Sequence, residues 1–229
     1  MPRQLPGSVV RKGYFSMLRM LFENPLLILY RIPALLLAIS VHEAAHGFVA
    51  YKLGDPTAKA MGRLTLNPLR HMNVVGTLML LLFGFGFATP VPVNAQNFKR
   101  PKWDMALVAL AGPLSNVILA IGGILGQSLL NHTVGNLNHP TILALYNLLY
   151  VFVALNICFA VFNLIPIPPL DGSRILLTFL PKKLYFSVMQ YERYIQIVFF
   201  VILMTGVIDG FLNHIFRIVI QALYSVFLF

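Results

Sequence analysis

The chain has almost no cysteine and very little acid. Cys158 is the only cysteine among 229 residues, so no disulfide framework exists within it. Standing in an apolar span, Cys158 reads as a small core residue. Asp and Glu together number seven, and charged side chains make up 10% of the chain against 58% hydrophobic. With a mean hydropathy of +0.79, so little charge excludes an ordinary soluble domain and leaves no room for a large one beside a membrane portion. Fixed-period repeats and low-complexity tracts are also missing. Residues 1–30 do not form a signal peptide, because Arg19, Glu23 and Pro25 interrupt the run after Arg11 and Lys12.

What the chain does have is base and long apolar runs. Lys and Arg number 17, for a formal charge of +10 and a pI near 10.0. They cluster at the ends of apolar segments, which is the pattern of membrane topology and contact with the lipid bilayer, not of nucleic-acid binding. Segments 52–70, 99–102 and 174–193 carry four, three and four Lys/Arg, while 131–140 and 209–213 carry none. The positive-inside rule places the first three in the cytoplasm.

The expected fold is an all-α polytopic membrane protein, a bundle of about five to six transmembrane helices. Spans are predicted at Pro33–Leu53, Asp104–Leu130, Thr141–Phe162 and Tyr194–Ile208, with a last helix from Asp209-Gly210 to Phe229. Pro33 suits a first helical turn and Gly54-Asp55-Pro56 a stop. Residues 1–30 are an N-terminal segment that is amphipathic or a short span. Residues 31–180 read as the functional core and 181–229 as a C-terminal helical hairpin. Between the first two spans, Gly62–Pro68 alternates like a strand, and Thr89-Pro90-Val91-Pro92-Val93-Asn94 is barred from helix by its prolines. That region predicts a re-entrant hairpin or small membrane-associated sheet, whose edge could pair with an unwound peptide.

One polar island stands inside the first span: His42-Glu43-Ala44-Ala45-His46. On a helix, residues four apart share a face, so both imidazoles can reach one ion. Zinc takes such nitrogens and, in catalytic sites, keeps a position for water. Glu43 sits where a general base would take a proton from that water. Ionisable groups at membrane depth are costly and usually mark function. Two histidines leave zinc short of ligands, and Asp171 is the best third candidate. Prolines 166, 168 and 169 unwind the backbone before it, and Gly172 permits a turn after it. The other reading of Asp171 is a cap on the helix that follows.

With these residues in place the chain resembles the site-2 protease family of intramembrane zinc metalloproteases, in its compact prokaryotic form without PDZ or CBS domains. The matching pieces are His42–His46, Gly62–Pro68, Ala111-Gly112-Pro113-Leu114-Ser115-Asn116 and Asn163–Gly172, in the family's order. The resemblance implies one zinc per chain on His42, His46 and Asp171, with Glu43 as catalytic base. It also implies hydrolysis of peptide bonds within or near transmembrane segments of membrane-protein substrates. Such cleavage serves regulated intramembrane proteolysis or clearance of signal-peptide remnants. It suggests a prokaryotic cell membrane, and the Lys/Arg count places His46 and Asp171 near its cytoplasmic side. The chain departs from the family after His71, where Met72-Asn73-Val74-Val75 precedes Gly76-Thr77 and relatives often have Asp-Pro.

Asn116 and Asn163 are candidates for holding the oxyanion or the substrate backbone, with hydrogen bonding between helices as the alternative. His71 is a candidate donor to the substrate or a structural histidine at the interface. Two rival classes remain. A transporter would share broken helices and buried polar groups, but no paired half-repeats are present. A catalytically silent binding partner would keep the fold without turnover.

Overall fold

Proline opens helices along this chain, and glycine or a proline-rich break closes them. The computed structural model describes residues 25–73, 76, 89–134 and 139–228. Among these, the helices are α1 (Pro25–Lys52), α2 (Thr57–Ala60), α3 (Pro101–Thr133), α4 (Pro140–Asn163), α5 (Asp171–Phe179), α6 (Lys182–Thr205) and α7 (Asp209–Phe227). Proline begins α3 and α4, where its missing N–H is no loss. Gly206, at a φ of 70°, ends α6 in the left-handed conformation that glycine adopts freely.

Two boundaries differ from expectation. Helix α1 already runs through Pro25, the first described residue, so Pro33 lies inside it; an internal proline is tolerated in apolar spanning helices, where neighbours compensate the freed carbonyl. Helix α6 starts at Lys182, twelve residues before the apolar run, because polar residues such as Ser187, Gln190 and Glu192 interrupt hydrophobicity without interrupting the helix. The expected N-terminal segment lies outside the described residues up to residue 24, and residues 25–30 belong to α1.

Five of these helices are long and apolar enough to cross a membrane: Leu29–Lys52, Pro101–Thr133, Pro140–Asn163, Lys183–Leu203 and Asp209–Phe227. Leu107, Leu114, Ile118, Leu125 and Leu129 are exposed in a stripe along α3, a surface that suits lipid and not water. The chain is a multi-pass integral membrane protein. Its inner core joins α3, α4 and α7 through Ala120, Ile124, Val153, Ile157 and Ile220. Gly123 makes that approach possible, since a Cβ there would stand 2.6 Å from Val153 Cγ2. Cys158 is exposed, not in the core, because the buried face of α4 runs through Val153, Asn156, Ile157 and Ala160.

No strand occurs among the described residues. The expected small sheet does not form there, and the re-entrant hairpin is not confirmed; residues 74–75 and 77–88 lie outside the described residues. The reason is visible in who bonds residues 89–97. Pro90 and Pro92 have no N–H, and side chains take the partners that a neighbouring strand would need. Arg63 Nη2 donates to the Thr89 carbonyl at 2.7 Å. The Val91 N–H donates to Glu43 and the Asn94 N–H to Asp55. The Gly62–Pro68 stretch ends in a 3-10 turn, Pro68–Arg70, capped by Asn67.

Asp55 is the fastener between the end of α1 and this segment. It is fully buried and accepts from the Thr57 N–H and hydroxyl, the Asn94 N–H and the Asn97 amide. Burial alone would raise its pKa, but the donors from Thr57, Asn94 and Asn97 outweigh it and hold the carboxyl below its ordinary value. Stability from a lowered carboxyl is complete above the unfolded value of about 3.9 and is lost as pH falls through the lower folded value. Amide exchange at Asn94 is therefore expected to speed up in acid beyond the intrinsic pH trend, starting below about pH 4. Asp55→Asn should lack that acid step. An equal step in both proteins would show that Asp55 does not fasten the segment.

Candidate metal centre

Helices α1 and α3 cross with matched polar positions one turn apart. Ala38, His42 and His46 lie on one face of α1, and Val108, Gly112 and Asn116 on one face of α3. The crossing is close because position 112 is glycine. A Cβ there would lie 2.5 Å from His46 Nε2 and 2.6 Å from His42 Cε1. The two imidazoles occupy the space a side chain would need, edge to face with centroids 4.6 Å apart.

Hydrogen bonds set the protons on both rings. His46 Nδ1 lies 2.7 Å from the Val108 carbonyl, which can only accept, so that nitrogen carries the hydrogen. His42 Nδ1 lies 2.6 Å from Asn116 Oδ1. The Asn116 amide is oriented by its nitrogen, which donates to the Ala38 carbonyl at 3.2 Å and to Asn156 Oδ1 at 2.9 Å. Its oxygen therefore accepts from His42. Both Nε2 atoms are left with lone pairs, 3.0 Å apart.

Asp171 completes the cluster. Its Oδ2 lies 3.2 Å from His42 Nε2 and 3.3 Å from His46 Nε2, and among the described residues no hydrogen-bond donor is aimed at it. Three acceptor atoms thus face one another without a hydrogen between them, an arrangement that repels itself unless a cation joins it. Two neutral imidazoles and a carboxylate are a donor set that zinc accepts. Among the described residues this is the group of His, Cys, Asp and Glu suited to hold a metal. Asp171 is the first residue of α5, whose N-cap position is Leu170.

The seat of Asp171 depends on the break before it. Residues 164–170 are not helical, and Leu170, Phe199 and Leu203 pack them against α6 with Phe162, Ile165 and Ile167. Gly172 permits α5 to start there, since a Cβ would stand 2.2 Å from the Leu164 carbonyl oxygen. Arg174 pairs with Glu192 of α6 at 2.6 Å, and Lys102 Nζ donates to the Leu180 carbonyl at 2.7 Å. These bonds hold both ends of α5.

Glu43 is half-buried, and its Oε2 accepts the Val91 N–H at 2.8 Å. Asn116 is fully buried and both of its donors are engaged by protein, so it stands behind His42. Asn163 ends α4 and donates to the Phe159 carbonyl of its own helix at 3.0 Å. His71 is fully buried; its Nε2 donates to the Thr65 carbonyl at 2.8 Å, and its own carbonyl accepts the Thr89 N–H. Neither Asn163 nor His71 is hydrogen-bonded to the three-residue cluster. Asn156, which sequence reasoning missed, is the residue that orients Asn116. Its signal was an amide inside an apolar span.

Partners that orient metal ligands typically control affinity by about 10- to 100-fold. Competition with a chelator is expected to show Asn116→Ala binding zinc more weakly by that order, with helix content kept. Gly112→Ala should lose most of its zinc, because the new methyl displaces both rings. Native zinc affinity in both variants would contradict the assigned geometry.

The family model for peptidase family M50 matches residues 30–134 and 124–206. YwhC of Bacillus subtilis (strain 168) is 40% identical over 187 residues, which cover 82% of this chain and 85% of that protein. Rip2 of Mycolicibacterium smegmatis is 30% identical over 142 residues, 60% of this chain and 52% of that one. Zinc metalloprotease MJ0392 of Methanocaldococcus jannaschii is 30% identical over 149 residues, 65% of this chain and 34% of that one. All three carry zinc-metalloprotease names. No solved structure gives a significant match. Matched over most of its length, and with a donor set suited to zinc, the chain belongs to peptidase family M50, the site-2 protease family of zinc metalloproteases.

Proposed function

We propose that this protein is an intramembrane zinc metalloprotease that hydrolyses peptide bonds within or near transmembrane segments of other membrane proteins. The observation that carries the reading is the convergence of His42 Nε2, His46 Nε2 and Asp171 Oδ2 inside a spanning helix bundle, with Glu43 beside them on the same helix. His42, His46 and Asp171 would hold the metal, and Glu43 would be the base. When bound, zinc supplies Lewis acidity that makes water acidic enough to lose a proton near neutral pH. Glu43 takes that proton and returns it to the leaving amine, so one carboxylate serves as base and then as acid. Asn116 keeps the His42 ring turned toward the cluster, and the Val91 N–H fixes one Glu43 oxygen.

A substrate helix must unwind locally before its carbonyls are accessible, since its own hydrogen bonds cover them. The Lys/Arg distribution supports a site toward the cytoplasm, and the bacterial and archaeal relatives support a prokaryotic cell membrane. Residues 53–73 and 89–100, which hold only the short helix α2 and two 3-10 turns, lie at that end of α1 and α3 and would admit water.

The test compares membrane proteomes of cells expressing either the native chain or Glu43→Gln at matched levels, with zinc measured in both purified proteins. Single-pass fragments are expected to accumulate only with Glu43→Gln, which keeps zinc. Equal fragment patterns with equal zinc would contradict a proteolytic role for Glu43.

A further inference from the structure

Three charged side chains grip one short extended segment. At its start, Arg63 Nη2 donates to the carbonyls of Thr89 at 2.7 Å and Pro90 at 3.4 Å. At its end, Asp55 accepts the Asn94 N–H at 2.7 Å and the Asn97 amide at 2.6 Å. In the middle, the Val91 N–H donates to Glu43 Oε2 at 2.8 Å. With proline at 90 and 92, Val91 is the one backbone donor across residues 90–92. Its side chain is buried against Gly47, one turn beyond Glu43, where a Cβ would lie 3.2 Å from Val91 Cγ1. The segment is therefore pressed onto α1 at the level of Glu43.

We infer that Arg63 and Asp55 are positioning residues for peptide hydrolysis: by clamping the two ends of residues 89–97, they keep the Val91 N–H on Glu43 Oε2. This rests on the reading of Glu43 as the base. The clamp matters because a carboxylate on a helix can rotate about its side-chain torsions, and only some rotamers reach a water on the neighbouring histidines. A held Oε2 leaves Oε1 as the oxygen available to that water; no hydrogen bond engages Oε1 among the described residues.

The placement of both clamps outside the metal cluster separates their effect from zinc binding. Arg63 Nε is buried without a partner among the described residues, an unfavourable state that the fold maintains while the other end of the guanidinium holds two carbonyls. Asp55 lies in the turn that directly follows the helix carrying Glu43. Neither residue is among those facing His42, His46 or Asp171.

The experiment uses the full chain in detergent micelles, as native protein, Arg63→Gln, Asp55→Asn, Arg63→Lys and Glu43→Gln. Zinc content, amide exchange at Val91 and turnover of a dye-labelled single-pass peptide are measured for each. Arg63→Gln and Asp55→Asn should keep zinc and KM, while Val91 exchanges faster and kcat falls by about 10- to 100-fold, the scale of a misplaced catalytic group. Arg63→Lys, which keeps a donor, should recover part of the loss. Native Val91 exchange and native kcat in both variants would overturn the inference. Loss of zinc from both would also overturn it, since the residues would then act on the metal cluster. Cleavage by Glu43→Gln would instead overturn the base reading itself, whatever the clamp variants do.

Discussion

At Gly112 two membrane helices come close enough for both imidazoles of α1 to lie against the backbone of α3. Everything chemical in the structure follows from that contact. It turns the His46 Nδ1 hydrogen to the Val108 carbonyl and the His42 Nδ1 hydrogen to Asn116, which leaves both Nε2 lone pairs aimed at Asp171. An Asp side chain costs about 2.5–3.5 kcal/mol at the centre of a spanning helix. Here Asp171 meets two imidazole lone pairs without a shared hydrogen, a cost that a bound cation offsets.

The rest of the bundle holds those three atoms still. Asn156 of α4 orients Asn116 of α3, which orients His42 of α1, so one chain of amides crosses three spans. The Pro-rich break at 164–170 delivers Asp171 from the other side, packed by α6 and held by the Arg174–Glu192 pair. Near the base of the bundle, Gln127 accepts the Tyr224 hydroxyl at 2.6 Å and ties α7 to α3. Each buried polar group here has a role in aiming another, which is how polar atoms are tolerated at membrane depth.

Much of this was legible in the residues. His42, Glu43 and His46 announce themselves by spacing, and Asp171 by the prolines before it and Gly172 after it. Five spans follow from apolar length alone. What could not be read was who faces whom. Asn116 was a candidate for touching substrate, yet its amide is consumed by Ala38, His42 and Asn156, and no spacing rule relates positions 116 and 156. Among the described residues the expected sheet does not form, for a similar reason. Alternation in Gly62–Pro68 and extension in 89–94 suit strands, but distant carboxylates and a guanidinium took the backbone partners first. Helix α6 began earlier than its hydrophobicity suggested, because hydropathy marks burial in lipid and not helical backbone.

The central claim is that His42, His46 and Asp171 form one zinc site. Zinc-edge X-ray absorption on the purified full chain tests it most directly, since it reads the atoms around the metal without needing a substrate. The account predicts a shell of nitrogen and oxygen donors carrying the multiple-scattering pattern of two imidazoles. In Asp171→Ala one oxygen donor should be lost or replaced by water while the two imidazoles remain. A shell with sulfur, a single imidazole, or a spectrum that Asp171→Ala and His46→Ala leave unchanged would contradict it.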